Sequence, residues 1–147
     1  MFSLGIDGFG IGTHLDTSED APYLDCAYKL QEYAGIPRRK RSEGKATWPG
    51  TKQVYRRFDV EGKLAGDTIT LADASCEGMT LLKAIMRGGE LIEPLPALEQ
   101  SRAYANEQLS RLPDGLRVLK NAPAYPVHFS PELRALTERM DRGAELY

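Results

Sequence analysis

The segment Gly8-Phe9-Gly10-Ile11-Gly12-Thr13 has the residue types of a phosphate-binding turn. Glycines let backbone N–H groups approach an anion without a Cβ atom in the way, and successive N–H groups can surround phosphate oxygens. The hydroxyl of Thr13 adds one more donor. At the C-terminal end of a barrel strand such a turn is a recurrent phosphate site. Because a short Gly-x-Gly-Thr segment also fits a plain tight turn, both interpretations stay open.

A second candidate is the basic run Arg38-Arg39-Lys40-Arg41-Ser42-Glu43-Gly44-Lys45. Residues 37–63 carry nine basic and three acidic side chains, whereas the whole chain has a net charge of −2. Such a segment suits an anionic small ligand, a nucleic-acid backbone or simply a solvated strand face. The aromatic residues Tyr33 and Trp48 flank the run and none lies inside it, so a nucleic-acid role is disfavoured.

The remaining reactive side chains do not form a recognisable catalytic or metal-binding pattern. Cys26 and Cys76 are far apart and lack a Cys-x-x-Cys partner, so we interpret them as two buried thiols in a reducing compartment. His14 follows the glycine turn and His128 lies between Val127 and Phe129, with no spacing that assigns either an acid–base role. The residues by themselves therefore predict neither a catalytic group nor a metal site.

The composition is that of an ordinary globular domain. The chain has 147 residues, of which 41% are hydrophobic and 27% charged, which disfavours disorder and membrane classes. No apolar run approaches the roughly 20 residues of a membrane-spanning helix. The N-terminal residues lack the basic and apolar regions of a signal peptide, so we expect a cytoplasmic location.

Strand patterns dominate the first two thirds of the chain. Leu4 to Gly12 predicts a strand that runs into the glycine turn. Alternation over 26–31 predicts a strand, with Gly35-Ile36-Pro37 as the turn and Arg38 to Ser42 as the returning strand. A second hairpin is predicted from Lys52 to Asp59 and from Leu64 to Leu71, although Arg56 shares the face of Val54 and Phe58.

Helical patterns follow. Leu98, Ala105, Leu109 and Leu112 share one helical face, and Pro113-Asp114-Gly115 ends that helix. Ser130 and Pro131 are a typical N-cap and first helical residue for a second helix. The order predicts an α+β fold: residues 1–22 as the last strand and phosphate loop of an α/β barrel, then residues 23–147 as a β-hairpin-rich segment with two C-terminal helices.

Taken in order, these residues resemble the C-terminal portion of nicotinate phosphoribosyltransferases. The resemblance runs nearly from end to end and is carried by four stretches: Ile6 to Thr13, Ala27 to Leu30, Lys40 to Thr47 with Pro49 to Val54, and Met86 to Gly89 with Glu93 to Leu98, Ser101 and Arg102. The third is similar to the family's K-x-S-E-G-K-x-T-x-P-G-x-K-Q-V segment.

The resemblance implies an enzyme that joins nicotinate to phosphoribosyl pyrophosphate, giving nicotinate mononucleotide and pyrophosphate in NAD biosynthesis. ATP, with magnesium, is a further substrate, and its hydrolysis drives the reaction through a phosphorylated histidine. No tightly bound cofactor is implied. The family's fold is an irregular α/β barrel with a second domain, and its members are usually dimers with sites near the subunit contact.

The family's functional positions carry over only in part. By resemblance, Gly12 and Thr13 match the turn that holds the ribose 5-phosphate, and Gly10 shapes that turn. Lys40, Ser42 and Lys45 match positions near the mouth of the active site and are candidate anion contacts.

The family's phosphorylated histidine and its nicotinate-binding arginine lie upstream of the matched stretches, and no cysteine-rich zinc element is present here. We therefore expect the chain to act with an upstream barrel part, in the same enzyme or as a separate subunit. The alternative is a non-catalytic anion-binding or structural module. Neither a membrane nor nucleic acid is an expected partner.

Overall fold

A computed structural model describes residues 29–118 and 121–144 of the chain. The predicted strand and phosphate turn within residues 1–22, together with Cys26, lie outside these described ranges. The described residues form eight strands, two α-helices and a 3₁₀ turn at Asp114–Leu116. They are a mixed α+β arrangement, in agreement with the predicted class for this part of the chain.

The main sheet is built on the hairpin that the sequence predicts. Strand β3 (Lys52–Phe58) pairs antiparallel with β4 (Leu64–Leu71). The Oδ1 atom of Asp59 accepts the backbone N–H groups of Glu61 and Lys63 at 2.9 and 2.8 Å, which closes the turn between the two strands. The side chain of Asp59 thus supplies the local contacts that an isolated hairpin turn needs.

Two short strands complete the sheet, whose order is β5-β3-β4-β8. Strand β5 (Met79–Thr80) runs antiparallel to β3, and β8 (Val127–Phe129) runs parallel to β4. Gly78, just before β5, has φ +132, and a Cβ atom there would lie 2.7 Å from the carbonyl oxygen of Arg56. The approach of β5 to β3 therefore requires glycine at this position.

The second predicted helix is confirmed as α2 (Pro131–Ala144). The Oγ atom of Ser130 accepts the N–H group of Leu133 at 3.3 Å, so Ser130 is the N-cap that the sequence indicates. Helix α2 packs against β4, and Leu133 is completely buried. Leu133 and Leu64 are the buried hydrophobic residues of this small core.

The first predicted helix is confirmed as α1 (Leu98–Ser110), and it ends before Pro113 as expected. None of its residues is buried, however, so its apolar face does not contribute to the core of the described chain. It follows a small hairpin of β6 (Met86–Arg87) and β7 (Glu90–Leu91), which is exposed throughout. Within the described ranges, no helix is both long and apolar enough to cross a membrane.

The predicted strand from Arg38 to Ser42 is wrong. The first hairpin is tighter and joins β1 (Glu32–Tyr33) to β2 (Ile36–Pro37). Ala34 and Gly35 form its turn with φ +50 and +71. Positive φ at both central residues is the geometry of a two-residue hairpin, so pairing begins immediately on each side of them. Beyond β2, the N–H of Arg38 still donates to the carbonyl of Gln31 at 2.8 Å, but Arg38 to Ser42 does not form a strand.

A polar cluster connects the sheet to the residues before β8. The guanidinium of Arg56 donates two hydrogen bonds to the carboxylate of Asp67, at 2.9 and 2.7 Å. The hydroxyl of Tyr125 donates to the same carboxylate at 2.9 Å. The hydrogen bonds from Arg56 to Asp67 raise the pKa of Arg56, while burial and the bond to Asp67 raise that of Tyr125. Arg56 lies between Val54 and Phe58 on its strand face, where Asp67 neutralises its charge.

Replacing one partner of this pair should be costly. We expect Asp67→Asn to lower the free energy of unfolding by about 3 kcal/mol, because it leaves a part-buried guanidinium without its counter-ion. Urea unfolding followed by circular dichroism measures the change. The double variant Arg56→Met/Asp67→Leu should regain most of the loss, and a double variant less stable than Asp67→Asn would contradict this role of the ion pair.

Candidate functional site

The predicted anion contacts lie together on one exposed loop, which we call the basic loop (residues 38–47). Lys40 and Thr47 close it: the N–H of Lys40 donates to Oγ1 of Thr47 at 2.9 Å, and the N–H of Thr47 donates to the carbonyl of Lys40 at 3.0 Å. At the tip, the N–H of Lys45 donates to the carbonyl of Ser42 at 3.0 Å. Gly44 provides the positive φ, +67, that this turn needs.

Two of the three arginines of the basic loop, Arg39 and Arg41, differ from its lysines because they form ion pairs. The Nη1 atom of Arg39 lies 2.9 Å from Oδ2 of Asp141, and Nε of Arg41 lies 3.3 Å from Oδ1 of the same residue. The Arg39 side chain is 14% exposed and that of Arg41 is 45% exposed. One carboxylate from the last turns of α2 therefore pairs with both guanidinium groups, which leaves one net positive charge, and it attaches the basic loop to the helix.

The charges of Lys40 and Lys45 are not taken up by ion pairs. In the part of the chain that the structure describes, neither Lys40 nor Lys45 forms an ion pair. Both residues are exposed, as is Ser42. An ammonium group on a flexible stem is a suitable point charge for a phosphate oxygen. The structure thus brings Lys40, Ser42 and Lys45 into one loop, and their anion-binding role remains a prediction.

The base of the basic loop is fixed by an aromatic contact. The rings of Trp48 and Phe129 stack with centroids 4.1 Å apart and planes inclined by 18°. The guanidinium of Arg134 lies 6.0 and 5.7 Å from the two ring centroids. This stack joins the residue that follows the loop to β8, so the loop leaves the sheet at a defined point.

Lys52, the first residue of β3, binds the backbone of the residues that precede the strand. The Nζ atom of Lys52 donates to the carbonyl of Trp48 at 2.8 Å and to that of Gly50. Burial lowers the pKa of Lys52 to about 8, and the nearby carboxylate of Glu32 opposes that shift. Glu32 in turn accepts the N–H of Thr51 at 3.0 Å. Lys52 is thereby committed to backbone contacts and is not exposed to a ligand as Lys40 and Lys45 are.

Two residues of this arrangement were missed from the sequence, Asp141 and Phe129. Asp141 is about a hundred residues from the basic run, and nothing in its local pattern marks it as the partner of two arginines. The alternation of Arg39 and Arg41 around Lys40 was a usable signal, because alternate residues of an extended segment face the same side. It distinguishes the arginines from Lys40 but does not identify their acceptor.

The other candidates are placed as follows. Gly10, Gly12, Thr13 and His14 lie outside the described residues. His128 lies in β8 at the edge of the sheet, opposite Thr68. Cys76 is a free thiol that is partly exposed, so the expectation that it is buried is wrong. Among the described residues, no group of three His, Cys, Asp or Glu side chains is placed to hold a metal ion.

Comparison with known proteins identifies the fold. Residues 74–137, which include α1, β8 and the first half of α2, match the family model described as the nicotinate phosphoribosyltransferase C-terminal domain. The solved structure of human nicotinic acid phosphoribosyltransferase superposes with a TM-score of 0.62 and 30% sequence identity. The superposition covers 78% of this chain and 26% of the human one.

Sequence relatives extend the match over most of the chain. A nicotinate phosphoribosyltransferase of Mycobacterium tuberculosis is 42% identical over 130 residues, which are 87% of this chain and 28% of that protein. The Rattus norvegicus nicotinate phosphoribosyltransferase is 35% identical over 165 residues, with 95% of this chain and 31% of the relative covered. The chain thus spans less than a third of the length of these relatives.

The described fold is an α+β domain of the kind found in phosphoribosyltransferases. Within that class, the chain is similar to the C-terminal portion of nicotinate phosphoribosyltransferases.

The attachment of the basic loop to α2 gives a direct test. We expect Asp141→Asn to increase amide hydrogen exchange in residues 40–47 about tenfold, because the loop loses its anchor, while the stability of the fold falls by only about 1 kcal/mol. Hydrogen exchange read by mass spectrometry measures both effects. Glu138→Gln, an exposed acid on the same helix, is the matched control. Equal exchange in the two variants would show that Asp141 does not hold the loop.

Proposed function

We propose that this chain supplies the C-terminal part of a nicotinate phosphoribosyltransferase. The complete enzyme would join nicotinate to phosphoribosyl pyrophosphate, releasing pyrophosphate and nicotinate mononucleotide, and would couple this transfer to ATP hydrolysis. The observation that carries the proposal is the extent of the similarity: 87% and 95% of the chain align with enzymes named for this activity in a bacterium and a mammal.

The contribution of the chain would be to bind the phosphorylated substrate. In this proposal Gly10, Gly12 and Thr13 hold the ribose 5-phosphate, and the basic loop presents Lys40, Ser42 and Lys45 to the same or a neighbouring anionic group. The physical support is the pairing pattern of the loop. Asp141 binds Arg39 and Arg41, whereas Lys40 and Lys45, like Arg38, are exposed and form no ion pair among the described residues.

The chemistry of group transfer would come from outside this chain. No residue here is proposed to be catalytic. An upstream barrel part, joined to this chain or supplied as a separate subunit, would bind nicotinate and carry the phosphorylated histidine, and the complete enzyme would be a cytoplasmic dimer. Phosphoribosyl pyrophosphate and magnesium–ATP would be its substrates.

Exchange of the C-terminal part tests the proposal. In a fusion protein, this chain replaces the matched 130-residue region of the Mycobacterium tuberculosis relative. We expect the fusion to form nicotinate mononucleotide from nicotinate and phosphoribosyl pyrophosphate, faster with ATP than without, whereas this chain alone forms none. Chromatography of the product measures the rate. A folded fusion with no activity would favour the alternative of a structural or anion-binding module.

Removal of the loop charges tests the role of the basic loop. In the same fusion, we expect Lys40→Ala/Lys45→Ala to raise the KM for phosphoribosyl pyrophosphate about tenfold, because two charge-assisted contacts to a polyanion are lost. The KM for nicotinate should stay within about twofold. Arg117→Ala removes an exposed cation outside the loop and serves as the control. An unchanged KM in the double variant would exclude the loop from substrate binding.

A further inference from the structure

The turn that joins the basic loop to β3 is packed into the fold. It consists of Trp48, Pro49 and Gly50, and we call it the exit turn. Pro49 is fully buried, and Gly50 is buried with φ +79. A Cβ atom on Gly50 would lie 3.3 Å from the side chains of Leu71 and Leu136, so β4 and α2 enclose the turn. Because the exit turn directly follows the basic loop, its position sets where the loop ends.

Two carbonyl groups of the exit turn are bound by a single side chain. The Nζ atom of Lys52 donates to the carbonyl of Trp48 at 2.8 Å and to that of Gly50. Among the described residues, no N–H group of a loop or turn donates to either carbonyl. A carbonyl that is shielded from water costs free energy when it lacks a donor. The amine of Lys52 therefore completes the hydrogen bonding of the exit turn.

The N–H groups around the exit turn are held from the other side, by the first hairpin. The N–H of Gly50 donates to the carbonyl of Gln31 at 2.7 Å, and the N–H of Thr51 donates to the carboxylate of Glu32 at 3.0 Å. Burial lowers the pKa of Lys52 to about 8, although Glu32 opposes that shift, so at pH 7 the side chain is mainly an ammonium group with three donors. The hairpin and Lys52 thus hold opposite sides of the same turn.

The basic loop is connected to the exit turn through Thr47. The N–H of Thr47 donates to the carbonyl of Lys40 at 3.0 Å, and Oγ1 of Thr47 accepts the N–H of Lys40 at 2.9 Å. Lys45 lies within the segment that these two bonds close. Thr47 and Trp48 share a planar peptide bond, so a displaced exit turn also displaces the closure of the loop. The spacing of Lys40 and Lys45 therefore depends on the hydrogen bonds of the turn.

We propose that Lys52 is a positioning residue for anion binding by the basic loop. It touches no ligand itself. It holds the exit turn so that Lys40 and Lys45 face the same phosphorylated group. The inference rests on the proposed function, in which that group belongs to phosphoribosyl pyrophosphate. It also gives a role to a basic residue of this region that the proposed function leaves without one.

Hydrogen exchange in the isolated chain tests the positioning role independently of activity. Lys52→Met keeps an apolar stem but removes the donor, and amides of residues 40–47 should then exchange about tenfold faster, while those of β4 keep their rates. Lys52→Arg restores donors and should return the loop to within about threefold of the original rates. Lys63→Met is the matched control, since Nζ of Lys63 donates to the carbonyl of Ser110 at 3.0 Å, away from the basic loop.

Steady-state kinetics of the fusion protein described above tests the consequence for substrate. Lys52→Met should raise the KM for phosphoribosyl pyrophosphate about tenfold, because the two loop lysines no longer meet the anion together, while kcat and the KM for nicotinate stay within about twofold. Lys52→Arg should recover most of the loss, and Lys63→Met should leave all three constants unchanged.

The remaining outcomes separate the two proposals. Equal exchange of residues 40–47 in Lys52→Met and Lys63→Met, or a rise of the same size throughout β3 and β4, would overturn the positioning role. So would a Lys52→Arg variant that behaves like Lys52→Met, or faster loop exchange with an unchanged KM for phosphoribosyl pyrophosphate. A folded fusion without activity would reject the proposed function, while faster loop exchange in the isolated Lys52→Met chain would still support the hold of Lys52 on the loop.

Discussion

The Arg56–Asp67 ion pair is the interaction on which the arrangement of the described sheet depends. A largely buried guanidinium is costly unless a carboxylate neutralises it with good geometry, and Asp67 does so with two hydrogen bonds. The same carboxylate accepts the hydroxyl of Tyr125, and the backbone N–H of Asp67 donates to the carbonyl of Pro126 at 2.9 Å. The pair thus fixes the chain that enters β8, and β8 leads directly into α2.

The position of α2 determines which arginines of the basic loop are paired. Because the sheet places the helix beside the loop, Asp141 reaches both Arg39 and Arg41. Counting charges along residues 37–63 therefore overstates how many cations can meet a ligand. Lys40 and Lys45 are exposed, as is Arg38, whereas Arg39 and Arg41 are paired with Asp141. Basic residues that are adjacent in the sequence therefore have different surroundings in the fold.

Alternation, turn and capping residues in the sequence correctly predicted the β3–β4 hairpin and helix α2, whose formation depends on nearby residues. The β3–β4 hairpin has alternating strands and a turn closed by Asp59, and α2 has its Ser130 cap and an apolar face that ends up against β4. The Arg38–Ser42 strand failed because the two-residue turn at Ala34 and Gly35 already satisfied the pairing of that hairpin. Helix α1 was predicted correctly as a helix, but its apolar face gave no warning that it would stay exposed.

The sequence by itself determined the α+β class, the two helices, the main hairpin and, through motifs in a fixed order, the resemblance to a phosphoribosyltransferase family. These rest on periodicity, capping and turn chemistry, which act over a few residues. Only the tertiary structure decided that Asp67 neutralises Arg56, that Asp141 binds two arginines and leaves two lysines exposed, and that Trp48 stacks on Phe129. Such contacts join residues far apart in the chain, and their energies depend on burial and geometry that no local pattern encodes.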